Sequence, residues 1–105
     1  MQEQKIQECF ALAALQELMK QSPDQLAVID VRSPDEFAEK HIPGAVNIPL
    51  GELESRSGEL SKKATIITAC GKGGGRSAQG AAILLQLGFD KATYLCGGTF
   101  GWYGS

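Results

Sequence analysis

A chain of 105 residues fits one domain, residues 1–105, and 43% hydrophobic residues suffice for one modest core. Ten basic against twelve acidic residues leave a net charge of −2, so nothing in the charge balance points to nucleic acid or to an anionic membrane surface. The odd cysteine count (Cys9, Cys70, Cys96) behind a polar Met1–Glu8 unlike a signal peptide argues against a disulfide framework and for a reducing, cytoplasmic setting.

In chain order, a short first strand is expected near Ile6 to Phe10. Leu12, Leu15, Leu18 and Met19 fall at helical spacing, which predicts a helix over Ala11–Lys20. Leu26-Ala-Val-Ile-Asp-Val31 is a continuous apolar run closed by a charge, as expected of a strand covered on both faces. Ser33-Pro-Asp-Glu36 is a capping box with proline at the first helical position, so a helix is expected from Pro34 to about Lys40. Val46-Asn-Ile48 reads as a weaker strand between Pro43 and Pro49. Thr65–Ala69 and Ala92–Leu95 read as buried strands, and the Ala- and Leu-rich Ser77–Leu87 as a helix ended by Gly88. No apolar run approaches the roughly 20 residues of a membrane span. Strands alternating with helices predict an α/β fold with a parallel sheet, helices on both faces and a site at the carboxyl ends of the strands.

The chemistry concentrates in Cys70-Gly71-Lys72-Gly73-Gly74-Gly75-Arg76-Ser77, where a strand delivers a thiol to a glycine-rich turn and a helix follows. Successive backbone N–H groups in such a turn can converge on one anion, and the helix adds the positive end of its dipole. A thiol at the centre of that field should ionise more readily, and the thiolate is the nucleophile. The plainer alternative is a small buried cysteine ending a strand. The turn matches neither a Walker loop nor GxGxxG.

Beyond these features, the chain resembles the single-domain rhodanese family. Asp30-Val-Arg32, Pro34-Asp-Glu-Phe37 and His41-Ile-Pro-Gly-Ala-Val-Asn-Ile-Pro49 are similar to its first signature. Cys70–Ser77 is similar to its active-site loop. Leu87-Gly-Phe89, Leu95-Cys-Gly-Gly98 and Trp102 are similar to its C-terminal signature. The resemblance implies a rhodanese-like, five-stranded parallel sheet of order 1-5-4-2-3 flanked by helices. It also implies sulfurtransferase activity: Cys70 takes a sulfane sulfur from thiosulfate or a persulfide donor and passes it to cyanide or a thiol, with no cofactor. A sulfur-accepting protein is a further partner consistent with it. Gly71, Lys72, Gly73, Gly74, Gly75, Arg76 and Ser77 would then bind the anionic donor, with Asp30 and Arg32 bracing the loop. A domain of this family can also act as a sulfur carrier with little turnover.

Two departures stand out. Five residues separate Cys70 from Arg76, where most sulfurtransferases of the family have four. That spacing is Cdc25-like, resembling the Cdc25 phosphatases and related arsenate reductases, and it makes phosphatase or arsenate reductase the alternative activity. The chain also stops three residues after Trp102, which would leave one face of the sheet thinly covered. His41 is expected to be structural and to leave no metal site, since no CxxC pair accompanies it. Cys9 is expected to serve packing. Cys96 should end the strand beside that of Cys70, either as a bystander or as a resolving thiol able to form a Cys70–Cys96 disulfide.

Overall fold

The computed structural model describes residues 9–72 and 75–104. Four helices occupy Leu12–Gln21 (α1), Pro34–Glu39 (α2), Arg76–Gln86 (α3) and Gly98–Trp102 (α4). Four strands occupy Leu26–Asp30 (β1), Val46–Asn47 (β2), Thr65–Ala69 (β3) and Ala92–Tyr94 (β4). The strands form one parallel sheet in the order β2-β1-β3-β4.

Among the described residues the sheet has four strands, in the order that the resemblance implies for strands 2 to 5. Of the expected first strand, only Cys9 and Phe10 lie among the described residues, and Phe10 makes a single parallel bridge to Leu95. The Phe10 N–H donates to Tyr94 O at 2.6 Å, and Cys96 N–H donates to Phe10 O at 2.9 Å. The bridge sits on the outer side of β4.

Local chemistry explains the helix limits. In α2 the Ser33 hydroxyl accepts from Glu36 N–H at 3.3 Å, and Glu36 Oε1 accepts from Ser33 N–H at 3.1 Å, which closes the capping box. At the end of α3, Gly88 adopts φ 97°, where a side chain would be strained, and Phe89 N–H returns to Leu84 O at 2.9 Å. β2 has two residues, one fewer than the expected Val46–Ile48, although Ile48 N–H still donates to Asp30 O and Leu50 N–H to Val31 O, each at 3.0 Å.

Side chains alternate across the sheet, as the strand period requires. Ile29 and Val31 from β1 and its extension, with Ile66 and Cys70 from β3 and its end, pack with Leu84 and Phe89. Val28, Ile67 and Ala69 face the other way, against Leu15, Ile42 and Leu95, with Trp102 beside them. That second face is covered by α1 and α4. The alternation Ile66, Thr68, Cys70 places the cysteine on the side that α3 covers.

Candidate active site

Cys70 follows the last residue of β3 and is only 6% exposed. It lies where the connections diverge: β1 runs on to β2 on one side, while β3 runs through α3 to β4 on the other. In parallel sheets that crevice, at the carboxyl ends of the strands, is where ligands bind. The thiol Sγ donates to Ser77 Oγ at 3.3 Å, and Ser77 is fully buried in the first turn of α3. Thr68 Oγ1 in turn donates to Ser77 O at 2.7 Å, which ties that turn to β3. Cys70 therefore faces the start of an 11-residue helix, with its positive dipole end toward the sulfur.

The turn between them is partly described. Gly75 caps α3 at φ 48°, a conformation that favours glycine, and Lys72 is exposed. Gly73 and Gly74 lie outside the described residues, so the expected convergence of loop amides on the sulfur stays an expectation. Gly71 packs under Phe100: a Cβ there would stand 3.3 Å from the ring.

Two arginines expected to serve the loop are each engaged by a carboxylate. Arg32 is 2% exposed and forks onto Asp30, with Nη2–Oδ2 at 2.8 Å and Nε–Oδ1 at 3.0 Å; it also donates to Lys40 O. The Asp30 hydrogen bond raises the Arg32 pKa above its ordinary value. Burying such a pair is tolerable because each partner is multiply bonded. Asp30 reaches the cysteine strand through Thr99, whose Oγ1 donates to Asp30 Oδ2 at 3.5 Å and whose N–H donates to Cys70 O at 2.7 Å. Phe100 N–H donates to Gly71 O at 2.9 Å. Asp30 and Arg32 thus meet the residues at the end of β3 by way of α4.

Arg76 pairs with Glu36 of the capping box, Nη1–Oε1 at 2.9 Å and Nη2–Oε2 at 3.2 Å. This contact raises the Arg76 pKa and holds the Glu36 carboxyl down to about 2. A carboxylate depressed on folding stabilises above its ordinary value of 4.5 and loses that contribution as pH falls toward about 2. Both side chains are more than two-fifths exposed, so solvent screening limits the effect to at most about 1 kcal/mol. Denaturant unfolding of Glu36→Gln should accordingly match the parent near pH 2 and fall slightly below it above pH 4.5; an equal difference at both ends would rule out the linkage.

Cys96 corrects the sequence reading. Its thiol is bonded to Cys9, with Cα atoms 4.9 Å apart, while Cys70 is reduced. The Phe10 segment lies directly against the chain that follows β4, so the partner comes from outside the sheet rather than from β3. Both readings of Cys96, the bystander and the resolving thiol paired with Cys70, give way to this bond. So do the packing role of Cys9 and the reading of an odd cysteine count as an argument against disulfides, while Cys70 is the free thiol that an odd count leaves. His41 Nδ1 donates to Phe37 O at 2.7 Å and its ring stacks on Phe37 at 3.8 Å, contacts of the kind expected of a structural residue.

Sequence reasoning missed Glu36 as a partner of Arg76, and Thr99. Glu36 was legible only as a cap. Thr99 follows the Gly97-Gly98 doublet, which marks a sharp turn but not the residue it delivers.

The family profile described as rhodanese-like domain matches residues 11–105. A Bacillus subtilis protein named as a sulfur carrier, YrkF, is 39% identical over 83 residues, covering 79% of this chain and 44% of that one. The chain thus spans less than half the length of that relative. A sulfurtransferase of Allochromatium vinosum is 32% identical over 75% of this chain and 73% of its own. The structure of the human single-domain sulfurtransferase TSTD1 superposes with a TM-score of 0.76 at 28% identity, covering 90% of this chain and 94% of that one.

Proposed function

The chain belongs to the rhodanese-like domain family, and on that footing we propose that Cys70 is the sulfur-carrying nucleophile of a sulfurtransferase. The observation that carries the reading is the reduced, buried Cys70 bonded to Ser77 at the start of α3. In the first half-reaction the Cys70 thiolate attacks the sulfane sulfur of the donor. A sulfur–sulfur bond forms to Cys70 and the donor's own breaks. Thiosulfate leaves as sulfite, and a hydropersulfide leaves as its thiolate. In the second, cyanide or a thiolate attacks the outer sulfur of the Cys70 persulfide, yielding thiocyanate or a new persulfide and restoring the thiolate. The acceptor thiol can belong to a small molecule or a protein.

Chain groups have distinct parts. The Ser77 hydroxyl and the dipole of α3 hold the anionic sulfur in place. The Gly71–Gly75 amides and Lys72 attract the donor's charge. Asp30, Arg32 and Thr99 fix the carbonyl side of Cys70, so that the thiol is aimed rather than mobile. The same arrangement suits a carrier that is loaded once and discharged onto a partner.

Intact mass after incubation with thiosulfate or with glutathione persulfide tests the reading. The protein should gain one sulfur atom, and cyanide should remove it. Steady thiocyanate production marks an enzyme; stoichiometric loading with slow discharge marks a carrier. Hydrolysis of an aryl phosphate or reduction of arsenate without any sulfur loading would instead select the activity suggested by the five-residue spacing.

A further inference from the structure

The charges around Cys70 are arranged in a way that sulfur chemistry alone does not demand. Arg32 is spent on Asp30 and the Lys40 carbonyl. Arg76 lies one residue before Ser77, and the Cys70 charge contributes to its electrostatic surroundings. Yet its guanidinium presents two N–H groups to the two oxygens of Glu36, the bidentate geometry that holds an arginine most firmly. Glu36 is not a loose surface partner. Its Oε1 also accepts from Ser33 N–H and Ser33 Oγ, each at 3.1 Å, so the carboxylate is anchored to the first turn of α2. An incoming anion must therefore compete with a fixed carboxylate for Arg76 or leave Arg76 where it is. Among the described residues, Lys72 is the cation of this loop outside any ion pair.

Resting on the sulfur-transfer reading, we propose that Glu36 is a specificity-determining residue that withholds Arg76 from dianionic donors, so that the site favours persulfide donors carrying at most one charge at the reacting sulfur over thiosulfate. With Arg76 neutralised, a dianion meets mainly backbone dipoles and one exposed lysine. A hydropersulfide asks for less, because its outgoing thiolate is the only charge that builds up.

The test uses Glu36→Gln, which keeps the cap because glutamine serves at this position of a capping box. It removes the charge and half-releases Arg76. The kcat/KM for thiosulfate should rise about five-fold at low salt, the size expected for one partly exposed charge contact. The value for glutathione persulfide should change less than about two-fold, and the gain for thiosulfate should shrink at high salt. In an Arg76→Ala background the same substitution should produce no gain. An unchanged donor ratio overturns the proposal. A gain that persists without Arg76 also overturns it, because Glu36 would then act by simple repulsion. Failure of both donors to load the parent protein is a different result, and it overturns the sulfur-transfer reading itself.

Discussion

Replacing Cys70 with serine is expected to abolish sulfur loading while leaving the fold in place. The nucleophile has to be a thiolate, because a serine hydroxyl stays protonated near neutral pH and forms no persulfide. Loss of the reacting atom lowers turnover by on the order of 10³-fold or more, as removal of a nucleophile does elsewhere. The structural consequence should be small. Cys70 is buried, but its hydrogen-bond partner Ser77 Oγ can bond a hydroxyl equally well, so the substituted oxygen is not left unsatisfied. Mass spectrometry after thiosulfate or persulfide treatment should show no added sulfur, with a thermal midpoint close to the parent's. Continued loading of Cys70→Ser would move the chemistry to another residue.

Breaking the Cys9–Cys96 bond should have the largest effect on stability. The two cysteines are 87 residues apart, so the bond closes most of the chain into one loop. Chain-entropy reasoning assigns such a loop about 4.6 kcal/mol, and measured disulfides commonly give about 2–4 kcal/mol. Cys9→Ser, Cys96→Ser and the double variant should therefore lose similar amounts, since each removes the same bond. Urea midpoints with and without a reductant measure this, and the reductant should leave the variants unchanged. Alkylation of three thiols in the untreated protein would show that the bond does not form. Disulfides persist where surroundings are oxidising, so the stability of this domain should follow the redox state around it.

Much of the architecture was open to reading from the residues, because it is governed by local rules. The strands announced themselves as apolar runs, α2 by Ser33-Pro34 with Glu36, and the end of α3 by Gly88. The cysteine turn was legible because a nucleophile followed by glycines and a helix is a local pattern. What escaped was contact across the chain. Glu36 meets Arg76 over 40 residues, Asp30 meets Thr99 over 69, and Cys9 meets Cys96 over 87. No periodicity records such pairs; only folding brings them together. Strand order placed Cys96 near Cys70, but the thiol turned to the neighbour on its other side.

The two borders of the sheet differ in how they resist joining other chains. A bare strand border offers unpaired amide and carbonyl groups, on which a second molecule can build an intermolecular ladder. On one border β2 offers two residues, Val46 and Asn47, between prolines that cannot extend a ladder, although Val46 is 51% exposed. On the other border β4 is covered by the Phe10 segment, and that cover is fastened by the Cys9–Cys96 bond. One border is thus short whatever the redox state. The other is sealed by a bond that reductants cut, so reducing conditions should uncover it and shift self-association toward β4.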